Sequence, residues 1–175
     1  ANKLGYAFDG WYKTSDFSGE KFENIPAGSE GNIVLWAKWT PVNYSITYNL
    51  NGGTNADNNP GAYNIENPNL TLTRPSKDYY NFSGWYFDEA LSVNAVKTGS
   101  GTNKDIVQFR KAFADDEIGE VTLYAKWVPI EYSITYNVSG GTNASGNPKT
   151  FTVESPVITL KAPSRFGHTF KGWYS

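Results

Sequence analysis

The segment FDGWY at Phe8–Tyr12 returns as FSGWY at Phe82–Tyr86 and as FKGWY at Phe170–Tyr174, and this recurrence limits the possible folds more than any other feature. It extends well beyond the pentapeptide. YSITYN at Tyr44–Asn49 recurs at Tyr132–Asn137, and GGTN at Gly52–Asn55 recurs at Gly140–Asn143. Pro75 maps onto Pro163, and LWAKW (Leu35–Trp39) onto LYAKW (Leu123–Trp127), always 88 residues apart. Trp39 to Trp85 and Trp127 to Trp173 are both 46 residues, whereas Trp11 to Trp39 is 28 and Trp85 to Trp127 is 42. One copy therefore carries 14 more residues between its GWY and its AKW, and all 6 Trp sit at repeat positions. A fixed period of this length means one supersecondary unit written in tandem.

In this phase residues 1–39 are the C-terminal half of a copy, 40–127 a complete copy with the insertion, and 128–175 the N-terminal half of a further copy; 1–79 and 80–175 is the alternative phase. A half copy cannot bury enough apolar surface to offset its chain entropy. The reading therefore predicts either a unit phased on GWY or completion of the terminal half-repeats by intermolecular strand complementation. The sequence has no Met and opens on no signal peptide, which predicts an internal segment of a longer polypeptide.

The local patterns predict a β-rich α+β fold. Tyr44, Ile46, Tyr48 and Leu50 alternate with polar residues, the period of a half-buried strand, and Asn51-Gly52-Gly53 supplies a tight turn. Short strands are predicted around Leu70 and Leu72, and around Val157 and Thr159; longer ones cover Phe82–Tyr86 and Leu123–Trp127. Ile106, Phe109 and Phe113 fall at i, i+3 and i+7, predicting a short amphipathic helix over Lys104–Phe113, with at most a helical turn at Glu20–Ile25 in the first copy.

Few chemistries survive the composition. A net charge of −2 and a pI near 5.4 argue against nucleic acid as a partner. No Cys is present, which removes disulfides and cysteine nucleophiles, and the apolar runs fall far short of the ~20 residues a membrane span needs. The single His168 has no triad partners and cannot serve several copies; Asp115-Asp116-Glu117 reads as a solvated loop, and Asp57–Gly61 as a turn lacking the distal Glu of a calcium loop. No catalytic, cofactor or metal residues are expected.

The aromatic residues pose the sharper question. With 6 Trp, 12 Tyr and 10 Phe, the chain has ample material both for cores and for platforms. Strict alternation places Phe82, Gly84 and Tyr86 on the core face and Trp85 on the other, with Leu123, Ala125 and Trp127 inward and Tyr124 outward. Cross-strand outer pairs of Trp11 with Trp36 and of Trp85 with Tyr124 follow, and Trp173 takes the same place in the last copy. Such pairs either pack under a loop or form a ligand surface, a sugar-stacking platform or a protein hot spot, made of Trp11, Trp36, Trp85, Tyr124 and Trp173.

GYAFDGWY (Gly5–Tyr12), IVLWAKW (Ile33–Trp39) and YSITYNLNGGT (Tyr44–Thr54) together resemble the Listeria–Bacteroides repeat, the B-repeats of internalin-like bacterial surface proteins. The resemblance covers nearly the whole chain and departs at the insertion after Tyr86. It implies tandem β-grasp (ubiquitin-like) modules, each a small mixed sheet with one short helix or helical turn. It also implies an extracellular or cell-surface setting, attached to a cell wall or outer membrane, and a role as spacer that contributes to adhesion. The partners implied are a host or bacterial surface protein or glycan, and the neighbouring repeats of the same chain.

Overall fold

A computed structural model describes residues 2–99, 103–109 and 118–174. Among them every regular element is a strand: β1 (Tyr6–Tyr12), β2 (Trp36–Pro41), β3 (Tyr44–Asn49), β4 (Ala62–Tyr63), β5 (Asn69–Thr73), β6 (Tyr80–Tyr86), β7 (Val96–Gly99), β8 (Lys104–Gln108), β9 (Val121–Pro129), β10 (Tyr132–Ser133) and β11 (Thr150–Phe151).

Strands β3 to β9 form two facing layers. One is a mixed four-stranded sheet ordered β4-β3-β9-β6, in which β3 runs parallel to β9 and β6 antiparallel to it. The other is an antiparallel sheet ordered β5-β8-β7. Ile46, Tyr63, Trp85, Leu123 and Ala125 of the first layer meet Leu72, Val107 and Phe109 of the second in one core. Tyr63 stacks on Phe109 with ring centroids 4.4 Å apart. Each layer gains stability by hiding its apolar face from water against the other.

The α+β assignment is corrected by this arrangement. Lys104–Gln108, expected to be helical, is β8, paired with Asn69–Thr73; Phe113 lies outside the described residues. On β8 the buried positions alternate as Asp105 and Val107, with Phe109 buried just beyond. A polar residue on the inner face concealed that period. Asp105 is tolerated there because Arg74 grips it with two hydrogen bonds, Nε to Oδ2 at 2.9 Å and Nη2 to Oδ1 at 2.8 Å. The hairpin β7–β8 thus builds the insertion into the second layer. Glu20–Ile25 makes no helical turn either: it lies extended along β1, where the Phe22 N–H donates to the Trp11 carbonyl at 2.7 Å.

The other two copies are sparser. Residues 2–41 contribute the two-stranded hairpin β1–β2, and residues 130–174 the short pair β10–β11. The strand expected around Val157 is irregular, and Val157 is almost wholly exposed.

Candidate functional site

The three F-x-GWY segments build the same aromatic cluster. In the complete copy Phe82 lies edge-on to both Trp85 (5.2 Å) and Trp127 (5.4 Å), and Tyr48 of β3, on the far side of β9 in the same sheet, reaches Trp85 at 5.6 Å. In the first copy Phe8 meets Trp11 (5.5 Å) and Trp39 (5.3 Å). In the last, Phe170 and Tyr136 flank Trp173 at 5.3 and 5.4 Å. Edge-to-face contacts at these separations add to the stabilisation that burial alone provides.

A β-bulge explains why Phe and Trp, three residues apart, share a face. Phe82 stands opposite Trp127, Gly84 opposite Lys126 and Trp85 opposite Ala125, so Ser83 is the extra residue. A bulge resets the alternation of side chains by one position. Gly84 accommodates it with φ of 149°, and Gly10 and Gly172 take 156° and 146° in the other copies. The expectation of an outward-facing Trp85 is therefore corrected: it has 0% exposure in the centre of the core. Leu123 and Ala125 are fully buried beside it, with Trp127 packed against the same cluster.

The outer pairs do not form. Trp36 stands opposite Tyr12, not Trp11, and Tyr124 stands opposite Tyr86, not Trp85. Trp11 and Trp36 are 39% and 46% exposed and lie on opposite faces of the hairpin; Tyr124 and Trp173 are half-buried. Trp85 is thus enclosed, and Trp11 and Trp36 do not make one paired platform. What the second face does hold in the first copy is a polar clamp: Asp9 accepts from Lys21 at 2.8 Å and from the Tyr12 hydroxyl at 3.1 Å, with Lys38 at 3.3 Å. The Lys21 ammonium holds the Asp9 carboxyl below its usual range, and Asp9 in turn raises Lys21.

The AKW tryptophan has a further task. Trp127 Nε1–H donates to the Leu50 carbonyl at 2.8 Å, tying β9 to the turn after β3. Gly53 in that turn approaches so closely that a Cβ would lie 2.5 Å from Trp127 Cζ2 and 2.8 Å from the Ser76 carbonyl oxygen. The Asn-rich loop that follows is also structural. Asn59 accepts from Thr73 N–H and donates to its carbonyl and to Asn55; Asn147 repeats all three bonds with Lys161 and Asn143. Sequence spacing alone did not show this side-chain clasp, although the recurrence of Asn at both positions marked it. No group of three metal-ligating side chains occurs among the described residues. A groove of about 420 Å³ opens between the Arg74–Lys77 segment, Tyr80, Phe82 and Trp127.

The Listeria-Bacteroides repeat domain matches residues 1–38, 44–111 and 132–175. The chain belongs to that family. Its relatives include a protein of Evansella cellulosilytica described as a putative membrane protein, 28% identical over 98% of this chain and 23% of its own length. A putative Gly-rich membrane protein of the same organism is 30% identical over 98% of this chain and 18% of its own. Internalin H of Listeria monocytogenes is 34% identical over 58% of this chain and 15% of its length. The chain thus spans at most about a quarter of these relatives, and no solved structure matches it. It is a repeat region of the kind that internalin-like surface proteins carry.

Proposed function

We propose that this chain is a non-catalytic spacer in a secreted or surface-attached bacterial protein, extending an adhesive region away from the cell and adding weak contacts of its own. One observation carries the reading: in the complete copy, residues 40–127, the repeated aromatic side chains are spent on packing, with Trp85 wholly enclosed. A unit whose signature residues make its core can be repeated many times while its surface is free to vary. Short joins containing Pro41 and Pro129 at the strand ends restrict rotation between copies.

A carbohydrate-binding reading on Trp11 and Trp36 is less well supported, because those rings point from opposite faces and the homologous face of the complete copy is covered. The test is replacement of the repeats in the parent surface protein. A foreign rigid module of equal length should restore adhesion, and a short Gly/Ser linker should not. Adhesion lost with every replacement, or direct binding of a glycan array by the isolated chain, would overturn the spacer reading.

A further inference from the structure

Two successive junctions between copies occur in the chain, and they are built alike. At the first, the Val42 N–H donates to the Gly5 carbonyl at 2.9 Å; at the second, the Ile130 N–H donates to the Tyr79 carbonyl at 2.8 Å. The Tyr6 hydroxyl donates to Glu66 at 3.1 Å, and the Tyr80 hydroxyl donates to Glu154 at 2.9 Å. Lys3 Nζ stands 3.8 Å from the centre of the Tyr6 ring, and Lys77 Nζ 4.2 Å from that of Tyr80. Lys and Tyr belong to the earlier copy, and Glu to the later one. The two Tyr–Glu separations are 60 and 74 residues, so only the fold brings the partners together.

Both glutamates are held ready by the same turn. Their N–H groups donate within it, Glu66 to the Asn64 side chain at 3.1 Å and Glu154 to Thr152 Oγ1 at 3.2 Å. YNIEN at 63–67 and FTVES at 151–155 supply that turn with different residues but keep the acid. At the first junction Gly5 presses so near Ile65 that an added Cβ would lie 2.8 Å from the Ile65 Cβ. The Glu154 carboxylate, as the main cause, also raises the pKa of Tyr80. The last copy preserves the turn on the earlier side: the His168 N–H donates to the Arg165 carbonyl at 3.1 Å, as Tyr80 does to Lys77 at 3.2 Å.

We propose that this Lys–Tyr–Glu cluster is an inter-repeat latch, an interaction surface whose partner is the next copy in the same chain and which fixes the step from one repeat to the next. The phenol donates to the carboxylate, and the ammonium over the ring face adds a cation–π contact that holds the ring in place. The inference rests on the spacer reading and deepens it, since a latch sets the angle at which a stalk extends.

The test measures distances across the second junction in the whole chain. Having no Cys, the chain accepts a unique spin-label pair at the exposed positions Glu89 and Ser145, introduced as E89C and S145C. One narrow distance distribution is expected. Tyr80→Phe and Glu154→Ala should each broaden and shift it without changing the melting temperature, and the double variant should go no further. Glu154→Gln, which keeps an acceptor, should restore much of the narrow peak. A distribution left narrow and unmoved by Tyr80→Phe rejects the latch while leaving the spacer reading intact. A broad distribution already in the parent chain rejects a fixed step altogether, and the rigid stalk with it.

Discussion

Trp85 and Trp11 occupy the same place in the same pentapeptide, beside the same Phe and opposite the same alanine of an AKW strand, yet one is wholly buried and the other 39% exposed. Even the bulge is shared. What differs is the company. Trp85 is covered by Tyr48 of β3, which joins β9 in parallel, and by the second layer of β5, β8 and β7. No strand of the described residues lies in the corresponding place beside β1–β2, which forms a sheet by itself. The motif therefore specifies a bulged hairpin with Phe and Trp on one face. The rest of the copy, β3 to β5 together with the inserted β7–β8 hairpin, determines whether that face becomes a core.

The largest expected effect follows directly. Trp85→Ala should destabilise the complete copy by roughly 3–5 kcal/mol, the range for deleting a large buried aromatic. Trp11→Ala should cost less, about 1–2 kcal/mol, because two-fifths of its area is already in water and no second layer among the described residues covers it. Chemical denaturation of both variants measures the gap, and equal losses would mean that the hairpin is as well packed as the complete copy.

Next is the pair that has no counterpart in the first copy. Arg74→Ala leaves Asp105 buried without its partner and should cost about 2 kcal/mol, part of the ion pair being open to solvent. The loss should fall on the β5-β8-β7 layer and leave the β1–β2 amides unchanged, as amide hydrogen exchange would report. Ala162 stands at the Arg74 position in the last copy, so Ala162→Arg should gain nothing.

A smaller effect appears in alkali. Burial pushes the Tyr48 hydroxyl up to about 12, and it donates to the Pro60 carbonyl at 2.8 Å. Its pKa is higher folded than unfolded, so its contribution is complete below the ordinary tyrosine value of about 10 and is lost as pH rises from there to about 12. With partial solvent access the loss amounts to about 1 kcal/mol, and Tyr48→Phe should flatten that part of the stability curve.

The smallest effect separates the two GWY loops. Asp9 is held low chiefly by Lys21, whereas Asp88 is held low by hydrogen bonds from Ser92 and Val93. Both contributions are present above the ordinary aspartate value of about 4 and fade as pH falls through the lowered folded value. High salt should loosen the first loop and leave the second in place, since only the first depends on opposite charges. Backbone relaxation of Phe22 and of Val93 at low and high ionic strength distinguishes them.

Several core strands of this architecture were legible in the sequence. The alternation in YSITYN and LYAKW placed Ile46, Leu123 and Ala125 inside, where they are buried. The faces of the GWY strand were not legible, because a bulge adds one residue without altering the hydrophobic pattern, and its only trace was a Gly that also suited close packing. The helix assigned to Lys104–Phe113 failed for a related reason: the true inner face carries Asp105, and its partner Arg74 lies 31 residues away. The outward placement of Trp85 and the two outer pairs failed because they were built on unbroken alternation. The junction contacts were invisible until the fold brought Tyr6 to Glu66 and Tyr80 to Glu154.

Hydrogen exchange of the 6 indole N–H groups tests most directly whether the repeated tryptophans make the core. Trp127 Nε1–H is bonded to Leu50, and Trp85 Nε1–H is sealed in the core without a partner among the described residues. Both signals should persist in heavy water until the complete copy unfolds, while those of Trp11 and Trp36 vanish quickly. A Trp85 signal that exchanges as fast as that of Trp11 would contradict the account.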